Sequence, residues 1–92
     1  MIRSFRHKGL EVFFRTGSTR GIQPKHAVRL RLQLAVLDSA RSSQDLMVPG
    51  WRFHELTGRL KGHYSLSVDK NWRLTFRMND GDVVVLDYQD YH

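Results

Sequence analysis

The last six residues of the chain gather side chains that could perform acid–base chemistry. They read Asp87-Tyr88-Gln89-Asp90-Tyr91-His92 and follow directly on the apolar run Val83 to Leu86. Chain ends are usually polar and frayed, whereas this one continues an apolar strand and brings a carboxylate, a phenol and an imidazole to its end. These are general acid–base groups, and histidine is the residue type that titrates near neutrality. The segment indicates that an active site lies at the end of this strand. The alternative is that these residues form a surface cluster without a function.

A second group of polar residues follows from the spacing between Trp51 and Arg77, where the hydrophobic period becomes two, as in half-buried strands. One phase is apolar and should pack against helices: Trp51, Phe53, Tyr64, Leu66, Val68, Trp72, Leu74 and Phe76. The other phase should form an open, cationic sheet face: Arg52, His54, His63, Ser65, Ser67, Arg73, Thr75 and Arg77. Most half-buried sheets have a polar outer face, but that default does not explain one rich in both His and Arg.

Two helices are predicted to support this sheet. The first is short and ends before Gly17, because three aromatic or aliphatic residues have i, i+3, i+4 spacing: Leu10, Phe13 and Phe14. The second begins at Pro24, a residue suited to a first helical turn, and runs to about Ala40. Arg31 and Asp38 interrupt its apolar arc, which suggests a partly exposed or partner-facing stripe.

The remaining elements are strands. Residues 1–5 are predicted to form a short strand, and Asn79-Asp80-Gly81 is a strong hairpin signal because Asp-Gly supplies positive φ angles. The run Val83 to Leu86 reads as a central strand. The order β-α-α-β-β-β-β defines one α+β domain over residues 1–92, in which an antiparallel sheet of about four or five strands packs on two or three helices near the N-terminus.

The charge of the chain is unevenly distributed. Fifteen Lys and Arg residues against nine Asp and Glu give a net charge of +6, and eleven of the fifteen cations are Arg. Residues 1–40 hold eight cations and two acids, whereas residues 41–92 balance at seven of each. An Arg-rich surface suits a phosphate backbone, because guanidinium binds phosphate oxygens bidentately. A solvated surface is the alternative reading.

Several classes of function are excluded or disfavoured. The absence of cysteine excludes disulfides, thiolate nucleophiles and cysteine-ligated zinc. The five histidines lack i, i+3 or i+4 pairing, so no metal is expected. There is no Gly-rich phosphate loop, no His-Glu-x-x-His and no Gly-x-Ser-x-Gly. No run is long enough for a membrane helix and the start is unlike a signal peptide, which predicts a cytoplasmic, membrane-independent protein.

The whole chain resembles the HigB (host inhibition of growth) toxins, which belong to the RelE/ParE superfamily of bacterial toxin–antitoxin systems. The segments that carry the resemblance are Met1-Ile2-Arg3-Ser4-Phe5, Arg59-Leu60-Lys61-Gly62, Tyr64-Ser65-Leu66-Ser67-Val68, Asn71-Trp72-Arg73-Leu74-Thr75-Phe76, Asn79-Asp80-Gly81-Asp82 and Tyr88-Gln89-Asp90-Tyr91-His92. A Trp-Arg-hydrophobic-x-Phe strand followed by an Asp-Tyr-His end is specific for this group. Residues 15–50 agree in pattern only.

The resemblance implies a RelE/ParE-like fold and a cytoplasmic, ribosome-dependent endoribonuclease that cuts messenger RNA codons in the ribosomal A site. It also implies a HigA-like antitoxin with a helix-turn-helix domain, with operator DNA bound only through the toxin–antitoxin complex. Neither a metal nor a cofactor is implied, because the RNA 2′-hydroxyl is an intramolecular nucleophile.

The family's catalytic residues fall on His54, Asp90, Tyr91 and His92, with Arg73 as a phosphate contact. The two imidazoles could act as base and acid, in either assignment. Asp90 could hold one imidazole in its useful tautomer, and Tyr91 could stack on a base or position the phosphate. Arg73 could clamp the phosphate bidentately.

Further contacts are expected outside this set. Asn71 could hydrogen-bond a base edge and influence codon choice, or serve as a turn former. The N-terminal cations are expected to include ribosomal RNA contacts: Arg20, Lys25, Arg29 and Arg31. Two alternatives stay open at this point, namely a gyrase-inhibiting toxin of the ParE kind and a non-catalytic nucleic-acid-binding module.

Overall fold

Two helices and a four-stranded antiparallel sheet make up the fold, which a computed structural model describes for residues 1–90. The helices are α1 (Lys8–Thr16) and α2 (Ala27–Ser39). The strands are β1 (His54–Glu55), β2 (Tyr64–Ser67), β3 (Trp72–Asn79) and β4 (Asp82–Asp90), in the spatial order β1-β2-β3-β4. Short 3₁₀ turns lie at Pro24–His26, Ser43–Leu46 and Gly58–Leu60. The α+β prediction is confirmed.

Local signals set the ends of α1. The Nδ1 atom of His7 accepts a hydrogen bond from the Leu10 amide (2.9 Å), which satisfies one of the unpaired donors of the first turn. Gly17 ends the helix in the left-handed conformation, with φ of 81°, and its amide donates to the Phe13 carbonyl. Leu10 and Phe13 are buried, as the spacing predicts.

Apolar side chains lie on two sides of α2. Leu30, Leu34 and Leu37 are buried against the rest of the core, and the prediction of a helix starting near Pro24 is confirmed. Val28 and Leu32 lie outside, with 78% and 58% of their surface exposed. Arg31 is exposed with them, whereas Asp38 accepts a hydrogen bond from the Ile2 amide (2.9 Å). The predicted stripe therefore contains Arg31 but not Asp38.

The hairpin between β3 and β4 forms where the sequence predicts it. Asp80 and Gly81 have φ of 53° and 84°, the left-handed backbone that a tight turn needs. The register then pairs Trp72 with Asp90 and Leu74 with Tyr88. It shifts between Thr75 and Arg77, which marks an irregularity in the ladder.

The ends of the sheet differ from the predictions. The prediction that Val83 to Leu86 forms a central strand is wrong, because these residues belong to β4, which is the last strand in the order. The outer edge of β4 is covered by two isolated parallel bridges, from Ile2 to Val83 and from Phe5 to Leu86. The predicted N-terminal strand is thus reduced to bridges. At the opposite edge, the alternation from Trp51 yields only His54–Glu55, because Gly50 and Arg52 have positive φ (88° and 52°) and turn the chain.

Candidate active site

A cleft of about 390 Å³ opens on the face of the sheet opposite to Leu66 and Leu74, which are buried in the core. Its lining is mostly basic and hydroxylic: Arg52, His54, Ser65, Ser67, Asp69, Lys70 and Arg73. The register explains the grouping, because His54 pairs with Ser65 and Ser67 pairs with Arg73 across neighbouring strands. Residues opposite each other in a ladder point to the same face.

Five of the eight residues predicted for the cationic face line this cleft. The other three lie elsewhere. His63 is half-buried and precedes β2, Thr75 is buried, and Arg77 is exposed beyond the register shift in β3.

The His54 ring is held by the backbone. Its Nδ1 atom lies 2.7 Å from the carbonyl oxygen of Arg52. A carbonyl can only accept, so Nδ1 carries the proton and the Nε2 atom of the neutral ring has the lone pair. Arg52 occupies the left-handed region with φ of 52°, a conformation that non-glycine residues adopt rarely and at a cost of about 1 kcal/mol or more. The imidazole is therefore exposed and oriented, with Nε2 available as a base.

The cleft carries a positive charge. Three cations, Arg52, Lys70 and Arg73, line it together with one carboxylate, Asp69. Arg73 is half-buried in β3 between Ser67 on one side and Gln89 on the other. The planar guanidinium fork of an arginine matches an anionic group with two oxygens.

Asp69 was not singled out by the sequence. Its Oδ1 atom accepts hydrogen bonds from the Asn71 and Trp72 amides (both 2.9 Å), and its Oδ2 atom lies 2.6 Å from Nε2 of His26. Burial raises the pKa of Asp69, but the bonds from His26 and the two amides outweigh this effect and lower it to about 2. Asp69 is therefore ionised at neutral pH and cannot act as an acid there.

His26 is also a residue that the sequence pattern missed. It is 4% exposed at the start of α2, and its Nδ1 atom lies 2.5 Å from the Tyr88 hydroxyl. The Tyr88 hydroxyl in turn accepts from the Gln23 amide (3.3 Å), and the Trp72 ring packs 4.5 Å from the Tyr88 ring. Burial raises the pKa of Tyr88, so its hydroxyl stays protonated.

The predicted C-terminal site residues are only partly described. Asp90 is exposed and pairs with Trp72, so the alternation of β4 puts it on the face of Tyr88 rather than the face of Gln89 and Arg73. It is not among the cleft-lining residues. Tyr91 and His92 lie outside the described residues.

The remaining predicted contacts fall in three environments. The Asn71 backbone amide donates to the Asp69 carboxylate, and Asn71 therefore belongs to the turn between β2 and β3. Arg20 and Lys25 are exposed. Arg29 is half-buried and donates to the Gly50 and Ser67 carbonyls (2.8 and 3.3 Å), and the Arg31 guanidinium lies 5.6 Å from the Phe13 ring centroid. Arg29 and Arg31 thus have packing roles as well as charge.

Two kinds of feature are absent from the part of the chain that the structure describes. Residues 1–90 contain no cluster of three His, Asp or Glu side chains that could hold a metal ion. Within the same range, no helix has the length and apolar character needed to cross a bilayer.

The fold is that of RelE-like toxins. The structure aligns with the YoeB-YefM complex from Staphylococcus aureus with a TM-score of 0.65 and 16% identity, over 100% of this chain and 98% of the matched chain. This similarity defines the class of fold.

The sequence comparisons define the family. The sequence model for HigB-like toxins, described as RelE-like toxin of type II toxin–antitoxin system HigB, matches residues 3–92. The chain is 38% identical to Endoribonuclease HigB of Proteus vulgaris over 92 residues, covering all of both sequences. It is 37% identical to Toxin HigB-1 of Vibrio cholerae, covering all of this chain and 98% of that one. The chain therefore belongs to the HigB-like toxin family, and its partner in such a system is an antitoxin.

Proposed function

We propose that this toxin is an endoribonuclease that cleaves messenger RNA codons in the ribosomal A site and thereby inhibits translation. The observation that carries the proposal is the cleft, which a backbone-held His54 lines together with three cations. An imidazole base beside fixed positive charge is what transesterification of RNA requires. The name of the Proteus vulgaris relative supports the same reaction.

The reaction uses the RNA as its own nucleophile. One imidazole removes the proton of the 2′-hydroxyl, the 2′-oxygen bonds to phosphorus, and the bond from phosphorus to the 5′-oxygen breaks. A second group protonates that leaving oxygen. Arg73, with Arg52 and Lys70, stabilises the charge that develops on the pentacovalent phosphorane. The products are a 2′,3′-cyclic phosphate and a 5′-hydroxyl, and this route needs no metal.

The C-terminal residues complete the site in this proposal. His54 and His92 serve as base and acid, in one assignment or the other. The Arg52 carbonyl already holds the His54 ring, so we assign the orienting role of Asp90 to His92. Tyr91 stacks on a base or positions the phosphate. Asn71 follows Asp69 in the turn, and its backbone amide donates to the Asp69 carboxylate. We assign its side chain a contact with a base edge that influences codon choice.

Docking on the ribosome is assigned to the basic first 40 residues. Arg20 and Lys25 are exposed and suit ribosomal RNA contacts directly. Arg29 and Arg31 remain in the proposed contact set, although each also packs within the protein.

The antitoxin is proposed to carry a helix-turn-helix domain, and operator DNA is bound only through the complex. An exposed stripe on α2, with i, i+3, i+4, i+7 spacing, supports a protein contact there: Val28, Arg31, Leu32 and Ala35. Exposed aliphatic side chains beside one cation suit an amphipathic antitoxin segment with acidic residues.

Expression of the protein from a regulated promoter, with primer extension on a translated message, tests the function. Codon-phased cuts that depend on translation are expected. An SOS response without cuts would indicate a gyrase-directed toxin instead, and binding of RNA without either effect would indicate a non-catalytic module.

A further inference from the structure

The reaction proposed above makes no use of His26, although this residue contacts Asp69, which lines the cleft. Its ring is 4% exposed and both nitrogens are bonded, Nδ1 to the Tyr88 hydroxyl and Nε2 to the Asp69 carboxylate. Three separate elements meet at this one ring: the start of α2, the turn between β2 and β3, and strand β4.

The donors and acceptors along this chain of hydrogen bonds have one consistent order for a neutral ring. The ionised Asp69 can only accept, so Nε2 of His26 carries the proton and donates to it. Nδ1 then accepts from the Tyr88 hydroxyl, whose oxygen accepts from the Gln23 amide. Each polar group that is removed from water here has a partner.

The consequence for the cleft comes through the second oxygen of Asp69. That atom accepts from the Asn71 and Trp72 amides and so fixes the turn that leads into β3. Arg73 is the next residue. The Asp69 carboxylate therefore helps to hold the backbone of residues 71–73, together with the bonds that the Val68 and Asp69 amides donate to the Trp72 carbonyl.

The same carboxylate lines a cleft that contains Arg52, Lys70 and Arg73. Without a donor behind it, the carboxylate could turn and pair with one of these cations. The paired cation would then be less available to a substrate phosphate. We propose that His26 is a positioning residue for RNA cleavage, which acts by holding Asp69 away from the cleft cations and against the Asn71 and Trp72 amides. The proposal rests on the endoribonuclease function proposed above.

Two substitutions separate the bond to Asp69 from the bond to Tyr88. In His26→Gln the side-chain amide can reach the position of Nε2 and still donate to Asp69. In His26→Asn the shorter amide reaches only the position of Nδ1, so the donor to Asp69 is lost. Tyr88→Phe is the matched control, because it removes the hydroxyl bonded to Nδ1 and keeps the ring packing on Trp72.

Single-turnover cleavage on programmed ribosomes gives a maximal rate and a half-saturating concentration for each variant. We expect His26→Asn to lower the maximal rate by about tenfold or more with little change in half-saturation, the pattern of lost positioning. His26→Gln and Tyr88→Phe should stay within about threefold of wild type. Asp69→Asn removes the charge that would pair with the cleft cations, so His26→Asn should slow the reaction less in the Asp69→Asn background than in the wild type.

Hydrogen exchange of the Asn71 and Trp72 amides supplies a readout that does not depend on activity. Exchange at these two amides should accelerate in His26→Asn and not in His26→Gln. If His26→Asn fails to fold, Asp69→Asn, with its side chain 35% exposed, still tests the hold on the two amides, because its uncharged oxygen accepts more weakly and their exchange should accelerate. A wild-type cleavage rate in His26→Asn would overturn the proposal. So would equal losses of rate in His26→Asn and His26→Gln that parallel the losses of stability in these variants. If the wild-type protein does not cleave RNA at all, the endoribonuclease function fails, and the exchange data still decide whether His26 positions Asp69.

Discussion

At the scale of single residues, the central feature is that the backbone orients the His54 ring. The bond from Nδ1 to the Arg52 carbonyl sets the tautomer without a carboxylate partner. The strained φ of Arg52 places that carbonyl, which is the kind of local distortion that functional sites retain.

This arrangement predicts the effect of His54→Asn. The asparagine amide can still donate to the Arg52 carbonyl, so the turn persists while the base is lost. We expect cleavage at saturation to fall by about 10²–10⁴-fold, the usual contribution of a general acid or base. Ribosome co-sedimentation and thermal unfolding serve as controls and should match wild type. Cleavage within a few-fold of wild type would remove His54 from the mechanism.

A second residue-scale prediction concerns acid stability. Burial opposes ionisation of Asp69, but the His26 and amide bonds depress its folded pKa from 3.8 to about 2. A carboxylate whose pKa is lower in the folded state than in the unfolded state stabilises the fold at pH values above the unfolded pKa. This stabilisation is lost as the pH falls through the folded-state pKa. Asp69→Asn should therefore lower the free energy of unfolding above about pH 5, and the difference should shrink toward pH 2. Denaturant melts across this range measure it, and a difference independent of pH would contradict the assignment.

At the scale of elements, the sequence predicts those helix ends and turns that are determined by neighbouring residues. The end of α1 at Gly17, the start near Pro24 and the Asp80-Gly81 hairpin depend on residues that are close in the chain. The extent of the first strand does not follow from alternation alone, because the positive φ of Gly50 and Arg52 bends the chain away from the sheet.

The candidate site is predictable to a similar extent. Strand phase brings His54 and Arg73 to one face, and both line the cleft. Asp69 sits in a turn and His26 at a helix start, 43 residues apart, and neither has a periodic signal that points to the other. Their contact depends on tertiary packing, which is why sequence spacing did not reveal it.

The exposed stripe of α2 leads to a prediction about the antitoxin. Leu32→Glu places a negative charge where Leu32 is 58% exposed, so the fold should tolerate it. We expect affinity for the antitoxin to fall by about tenfold or more, by loss of an apolar contact and repulsion of acidic residues. Met47→Glu is the matched control, since Met47 is 64% exposed and lies outside α2, directly after the 3₁₀ turn Ser43–Leu46. Calorimetry on purified proteins measures both, and equal affinities would rule out this surface.

At the scale of the whole molecule, charge and chemistry are separated along the chain. The excess of cations lies in residues 1–40, whereas the cleft is built from residues 52–73. Docking and cleavage should therefore respond to different substitutions.

Replacement of both Arg20 and Lys25 by Glu should weaken ribosome association and flatten its dependence on salt, because fewer counterions are released. Cleavage at saturating enzyme should change much less. Arg73→Ala should do the reverse, with near-normal association and cleavage slowed by about 10²-fold or more. Co-sedimentation across a salt series and single-turnover assays measure the two effects. Unchanged association in the double reversal, or lost association in Arg73→Ala, would refute this division.

In the proposed reaction the toxin cuts RNA through the substrate's own 2′-hydroxyl. The most direct measurement uses ribosomes programmed with two messages that differ only at the nucleotide whose sugar precedes the cut, ribose in one and 2′-deoxyribose in the other. The ribose message should be cut to a 2′,3′-cyclic phosphate and a 5′-hydroxyl, and the deoxy message should stay intact. Cleavage of the deoxy message at a similar rate, or products with a 5′-phosphate, would contradict attack by the 2′-hydroxyl.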